Sequence, residues 1–264
     1  MATAGVARRE RTAAAGLVAL LLAFAALAWL AVDRRMDGMD GMALGSLAAY
    51  SGAWALMMAA MMFPSISPTV ALYDRLRRGH HGPAAATAGF VTGYLATWTA
   101  FGVLAYAVAR IAGTPAWDGA GHVLAGVVVL GAAGYQLSAL KERCLTRCRG
   151  GLVWLLEHWR DGPLGALRLG ATHGAWCVGC CWALMAALFV LGLMSLGWMA
   201  FVAALIAAEK LLPWARGTSI GIAALLAVLG VSVALIPGRV PGLVLPDSAK
   251  AKSMHGVMKP MHGP

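Results

Sequence analysis

The sequence is poor in charged residues, and acidic residues are the scarcer kind. Of its 264 residues 12% are charged, with 11 Asp and Glu against 21 Lys and Arg, whereas 60% are hydrophobic. Soluble domains carry about 25% charged residues, so this composition excludes an ordinary soluble fold. It predicts a polytopic membrane protein in contact with lipid, with its basic residues in loops on the cytoplasmic side.

Several functional signatures are also missing. The sequence contains no ATP-binding phosphate loop, no quinone or flavin motif and no recognisable nucleic-acid-binding module. We therefore expect no nucleic acid partner and no transport driven by ATP hydrolysis within this chain. We predict a binding protein and not an enzyme.

Cysteines are few and confined to one region. All five lie between Cys144 and Cys181, an odd number in a tight group. A secreted disulfide framework has an even number of cysteines spread along the chain, so this distribution does not indicate one.

Apolar stretches long enough to cross a bilayer recur along the chain, since a helical span needs roughly 20 residues. Basic residues precede the first stretch and fill the connections after the second and fourth, which places those segments inside. We predict an all-α, polytopic transmembrane helical bundle of about seven spans with its N-terminus inside. The predicted spans are about 13–32, 44–63, 83–111, 122–140, a fifth from about 170, 198–212 and 218–236.

These spans divide the chain into three regions. Residues 1–12 form a cytoplasmic segment, residues 13–236 form the transmembrane domain, and residues 237–264 form an extracytoplasmic tail. Within the domain, a cytoplasmic connection covers about 141–170, and its Trp- and Leu-rich stretch 152–159 suits a short helix at the membrane surface.

The stretch HGAWCVGCCWALM holds the strongest chemical signal. On a helix, His173 and Cys177 lie four residues apart, and either Cys180 or Cys181 continues the same face toward Met185. Thiolate, imidazole and thioether are donors that suit copper(I), zinc or iron–sulfur centres. We predict a metal site on this face, with the choice between Cys180 and Cys181 left open.

A second cysteine pair lies in KERCLTRCRG. Cys144 and Cys148 are four residues apart, so a continued helix places both on one face. Neighbouring basic residues favour thiolate formation, which predicts a reactive or metal-binding pair; an inert, reduced pair is the alternative.

Methionines are concentrated in the second predicted span. They form two pairs at four-residue spacing and serve either as packing material or as soft metal ligands; the four are Met57, Met58, Met61 and Met62. Pro64 and Pro68 follow, and we expect them to interrupt the helix and free backbone carbonyls.

Glu209 is the acidic residue expected at the inner end of the sixth span. An ionisable residue in a membrane is a candidate functional group, so we include it among the predicted metal-site residues. The adjacent Lys210 either pairs with it or extends to the interface.

Further soft donors occur in the segments predicted to lie outside. They are Met36, Met39 and Met42 in the first outer loop, and Met254, His255, Met258, Met261 and His262 in the tail. Thioethers bind copper(I) without deprotonation, so both segments are candidate metal contacts, with incidental methionines in a flexible turn or tail as the alternative.

Three of these stretches together resemble a family of bacterial proteins described as predicted metal-binding integral membrane proteins. The resemblance is carried by WALMMAAMMFPS from Trp54, YQLSALKERCLTRCR from Tyr135 and WRDGPLGALRLGATHGAWCVGCCWALM from Trp159. It implies a metal-binding protein of the bacterial inner (cytoplasmic) membrane.

The leading functional hypothesis is binding and transport, or delivery, of a soft transition metal. Copper(I) is favoured over zinc because methionine is a good copper(I) ligand and a poor zinc ligand. A metallochaperone or a membrane protein would be the partner. The alternatives are a thiol–disulfide oxidoreductase using Cys177 and Cys180, or a structural subunit whose small-residue spans pack against partners.

Overall fold

The computed structural model describes residues 2–36, 46–79, 83–112, 121–192 and 196–236. Within these ranges the chain forms α-helices and no strands, as the composition predicted. The helices are α1 (Ala2–Met36), α2 (Leu47–Gly79), α3 (Ala85–Ala112), α4 (Gly121–Gln136), α5 (Ala139–Arg149), α6 (Gly151–Glu157), α7 (Gly162–Gly192), α8 (Leu196–Leu211) and α9 (Ala215–Leu235).

Five of these helices are long and apolar enough to cross a membrane, namely α1, α2, α3, α7 and α9. The pair α4–α5 passes the same test together but is bent by 65°, as in a broken span or a re-entrant loop. Large apolar side chains project outward from the bundle, with Leu27 63% and Val228 67% exposed, as expected for lipid-facing surfaces. The structure therefore has the character of a multi-pass bundle, while seven spans and an inside N-terminus remain predictions.

Helix α2 continues through both of its prolines, so the predicted interruption at Pro64 and Pro68 is wrong. A proline withholds the N–H that would bond the carbonyl four residues earlier. Here the Trp29 indole donates to the freed carbonyl of Ala60 (3.1 Å), and the Ser67 hydroxyl donates to the freed carbonyl of Pro64 (3.0 Å). Because both carbonyls are satisfied by side chains, the helix persists to Gly79.

The packing of α3 against α7 is close because glycines face the partner helix. A Cβ atom at Gly93 would lie 2.1 Å from the Leu167 carbonyl oxygen, and one at Gly170 would lie 1.9 Å from the Phe90 carbonyl oxygen. Small residues at such positions let helix backbones approach in a membrane bundle. The Thr97 hydroxyl adds an interhelical hydrogen bond to the Ala171 carbonyl (3.1 Å).

The bend between α4 and α5 redirects the chain into the bundle. Helix α4 ends at Gln136, and Ser138 caps α5 by accepting a hydrogen bond from the Lys141 N–H (3.1 Å). The helix of the predicted fourth span therefore breaks after residue 136, and α5 is partly buried in the bundle and not an exposed connection. Its buried face packs against α7 and carries Lys141, Cys144, Leu145 and Cys148.

Helix α7 also begins earlier than the predicted start near residue 170. Gly162 has a positive φ of 80°, and Pro163 follows in the first turn, where a missing N–H costs no helical hydrogen bond. The preceding α6 is the short helix predicted in this stretch, with Trp154 and Leu155 buried. α5 and α7 together bring the two cysteine motifs to the same part of the core.

Candidate metal centre

Three thiols from two helices converge inside the bundle. The Sγ atoms of Cys148 on α5 and of Cys177 and Cys180 on α7 all lie within 4.8 Å of one another, and all three residues are buried. We call these three residues the thiol cluster. The thiol cluster therefore contains residues from both cysteine motifs, which lie apart in the sequence.

Helical spacing explains the contribution of α7. Cys177 and Cys180 are three residues apart, so they share one face, and the Cys180 thiol donates to the Cys177 carbonyl (3.2 Å). Cys181 is also buried, with its Sγ atom 3.3 Å from that of Cys180. The structure thus places Cys180 in the cluster and Cys181 beside it, so neither faces lipid.

The two cysteines of α5 have different surroundings. Cys148 joins the thiol cluster, whereas Cys144 packs against the α7 backbone at Gly179, where an added Cβ atom would lie 2.8 Å from its Sγ atom. Cys144 is buried but does not belong to the three-thiol group. It therefore offers an internal comparison for Cys148 on the same helix.

Two residues that the sequence analysis did not select for the centre contact Cys177. The Tyr94 hydroxyl on α3 is hydrogen-bonded to Cys177 Sγ (3.0 Å), and the Lys210 ammonium on α8 donates to the same sulfur (2.9 Å) and to the Ser65 hydroxyl (3.3 Å). An ammonium at this distance stabilises negative charge on sulfur. Tyr94 follows Gly93 in sequence, so the close packing of α3 against α7 places the Tyr94 hydroxyl beside Cys177.

Two of the basic residues around the α5 cysteines also make contacts that the sequence did not indicate. The Arg147 guanidinium lies over the Trp176 ring, 4.4 Å from its centroid, and Arg149 donates to the backbone carbonyls of Glu209 and Leu212. The cation that contacts the thiol cluster is Lys210, which comes from another helix.

Glu209 has a partner that the sequence did not indicate. Its carboxylate accepts from the Lys141 ammonium (2.7 Å) and from the Ser219 hydroxyl (3.2 Å), and both members of the ion pair are 1% exposed. The predicted pairing with Lys210 is therefore wrong, and Lys210 is held by Cys177 and Ser65 instead of extending to the interface. We call Lys141, Glu209 and Ser219 the ion-pair network.

His173 lies one turn before Cys177 on α7 and is 2% exposed. The rings of Phe90, Tyr94 and Trp154 surround it, with centroid distances of 6.0, 6.1 and 5.3 Å. Its Nδ1 atom has no hydrogen-bond partner among the described residues. An unpartnered buried nitrogen is costly, so this atom is available to a ligand.

The methionines of α2 lie in the same core. Met58, Met61 and Met62 are almost completely buried, and Met57 is partly buried against them. They belong to one continuous apolar cluster with the cysteines of α5 and α7. These methionines therefore pack in the hydrophobic core, and a role for them as metal ligands stays a prediction. Met39, Met42 and the tail donors lie outside the described residues, as does the side chain of Met36.

The donor set fits a soft metal ion. Sulfur ligands at about 2.3 Å from a metal lie about 4 Å from one another, and the three Sγ atoms, all within 4.8 Å of one another, are compatible with that separation. Thiolates select copper(I), zinc or iron–sulfur clusters, and the thiols lie within the continuous apolar core.

Fold and site together define a helical, membrane-type bundle with a buried thiol centre for a soft metal. The chain belongs to the family described as "PpoB2: Copper chaperone", which matches residues 51–233. This range contains all residues of the thiol cluster, together with Tyr94, His173 and Lys210. No match was found among curated proteins or among solved structures.

Proposed function

We propose that this protein is a membrane-embedded copper chaperone that binds Cu(I) at the thiol cluster and delivers it to a partner. The observation that carries the proposal is the convergence of Cys148, Cys177 and Cys180 in a chain of a copper-chaperone family. Its role is binding and delivery and not catalysis.

The cluster combines charge compensation with a buried, soft donor set. A copper(I) ion bound by three thiolates leaves a net negative charge, and Lys210 at 2.9 Å from Cys177 offsets part of it. The copper-chaperone family supports copper(I) over zinc as the preferred cargo.

The decisive experiment compares two serine substitutions on α5. Cys148→Ser should abolish or sharply reduce stoichiometric Cu(I) binding by the purified protein, because it removes one of three converging thiols. Cys144→Ser is the matched control, since it removes a buried thiol outside the cluster. Elemental analysis after Cu(I) loading gives the readout, and equal losses or no loss in the two variants would refute the assignment.

Variants on α7 locate the remaining ligands. We expect Cys177→Ser and Cys180→Ser to lose Cu(I) as Cys148→Ser does, and Cys181→Ser to have a weaker effect. His173→Ala should lower affinity while leaving stoichiometric binding at high metal.

Delivery is the second half of the proposal. The sequence has no ATP-binding loop, so transfer would depend on ligand exchange with a metallochaperone or a membrane partner.

We further propose that the chain resides in the bacterial inner membrane with about seven spans and its N-terminus inside. A reporter fused after Pro264 should then read as extracytoplasmic, and one inserted at Gly79 as cytoplasmic.

A thiol–disulfide oxidoreductase is the second candidate, because the three thiols are also near enough to form a disulfide after side-chain rotation. The five cysteines are free in the structure. Thiol titration beside metal analysis separates the two functions: an oxidoreductase would form a reversible disulfide that Cys177→Ser removes, with metal content unchanged.

A further inference from the structure

A cavity with charged side chains in its wall lies directly beside the thiol cluster. Its volume is about 160 Å³, and α2, α5, α7 and α8 all contribute to its wall. Cys148 and Lys210 line it from the metal centre, and Ser65 and Thr69 line it from α2. An engineered cavity of about 150 Å³ accommodates a benzene molecule, so this space has room for a small ligand.

The charges on the wall are positive. Arg149 and Lys210 line the cavity, no acidic residue does so, and within the described ranges neither cation has a carboxylate within ion-pair distance. Arg149 donates to the backbone carbonyls of Glu209 and Leu212, and among the described residues no carboxylate neutralises its charge. The wall also includes His173, whose buried Nδ1 atom has no partner among the described residues. Such a concave, cationic surface attracts anions.

A free copper(I) cation would be repelled by this wall, whereas Cu(I) carried between two thiolates bears a net negative charge. We propose that the cavity is an exchange site that admits Cu(I) as an anionic thiolate complex and passes it to Cys148. This inference rests on the proposed function, since it requires the thiol cluster to be the acceptor. The thiolate comes either from a free small thiol or from a cysteine of a partner protein.

The exchange balances without a redox step. The two copper–sulfur bonds to the donor thiolates break in turn as copper–sulfur bonds form first to Cys148 and then to a second cysteine of the thiol cluster, and copper remains Cu(I) throughout. The proton of each cysteine thiol leaves on one donor sulfur, so both donor sulfurs depart as neutral thiols and the single negative charge of the complex is kept. Arg149 and Lys210 attract the anionic complex but not a neutral thiol, so the released thiol is held less strongly in the cavity than the complex.

The test measures Cu(I) uptake rates of the full-length, metal-free protein from three donors. They are the anionic 2-mercaptoethanol complex, a Cys-x-x-Cys peptide carrying Cu(I), and the cationic acetonitrile complex. Arg149→Met should slow uptake from a thiolate donor by about tenfold, within the range of electrostatic steering, and leave uptake from acetonitrile unslowed. Arg149→Lys should restore the thiolate rate because it keeps the charge.

A second variant tests the space and not the charge. Thr69→Phe fills the cavity and should slow uptake from the thiolate donors, while final Cu(I) stoichiometry stays that of the wild type. Dependence on Arg149 with 2-mercaptoethanol alone identifies a free thiol as the source, and dependence with the peptide alone identifies a partner; either supports the exchange site.

The failure of each proposal has its own signature. If the wild type binds no Cu(I) from any donor, the copper function itself is refuted. If it binds Cu(I) but Arg149→Met and Thr69→Phe change all three rates equally or not at all, the exchange site is refuted and the thiol cluster stands.

Discussion

The ion-pair network and the thiol cluster share helix α5 but differ in how completely their atoms are paired. Consecutive residues of α8 serve the two, since Glu209 contacts Lys141 and Ser219 whereas Lys210 contacts Cys177. In the network, the carboxylate has both a cation and a hydroxyl donor. Next to the cluster, His173 Nδ1 has no partner in the part of the chain that the structure describes, and a cavity adjoins Cys148.

This difference separates a structural role from a binding role. A buried ion pair with its hydrogen bonds in place offers nothing to a ligand, but losing one partner leaves an uncompensated charge. A cluster of thiols with an unpartnered nitrogen nearby keeps its donors available. Buried polar side chains alone therefore do not indicate a metal site. Buried donor atoms that lack hydrogen-bond partners and lie beside a cavity do.

The largest expected effect comes from breaking the ion-pair network. Glu209→Ala leaves the Lys141 ammonium buried without a counter-charge and should destabilise the protein by about 3–5 kcal/mol. Thermal unfolding in detergent measures this loss. Cu(I) bound per folded molecule should not change, because Glu209 does not contact the thiols.

The double variant Lys141→Met, Glu209→Leu is the control for that experiment. It removes both charges, so most of the lost stability should return. A lower Cu(I) stoichiometry in the folded fraction of either variant would show that the two clusters are not independent.

An intermediate effect is expected at the α3–α7 contact. Gly93→Ala places a methyl group against the Leu167 carbonyl, and the resulting overpacking should cost about 1–3 kcal/mol. Because Tyr94 is the next residue, Cu(I) affinity should fall as well. Gly131→Ala is the matched control, since nothing lies within 4 Å of an added Cβ atom there. Competition with a Cu(I) chelator and thermal unfolding give the two readouts, and equal behaviour of both variants would contradict the close approach.

The smallest effect is expected from Tyr94→Phe, which removes the hydrogen bond to Cys177 and nothing else. Such a bond contributes about 0.5–1.5 kcal/mol, so Cu(I) affinity should change by about tenfold or less. Tyr135→Phe, which loses a hydrogen bond to the Gly179 carbonyl, should affect stability but not affinity. A Tyr94→Phe variant that loses Cu(I) altogether would mean that the hydroxyl is a ligand and not a supporting contact.

Several elements follow directly from local sequence. Apolar run lengths predicted the order of the long helices, and helical spacing placed His173, Cys177 and either Cys180 or Cys181 on one face of α7; the structure selects Cys180 for the cluster. The course of α2 is an exception, because a tryptophan on α1 satisfies the carbonyl freed by Pro64, and no pattern within α2 indicates this contact.

The sequence by itself determined an all-α, apolar chain with cysteines on helical faces, because composition and periodicity depend on residues a few positions apart. Only the tertiary structure decided which of those residues meet. The 65° bend before α5 brings Cys148, and not Cys144, to Cys177, and the orientation of α8 gives Glu209 to Lys141 and Lys210 to the thiols. The residues around Cys144 and Cys148, or around Glu209 and Lys210, do not show which member of each pair meets the thiol cluster. Their contacts differ because helices distant in the chain present different partners to the two members of each pair, and contact and burial depend on packing and not on spacing.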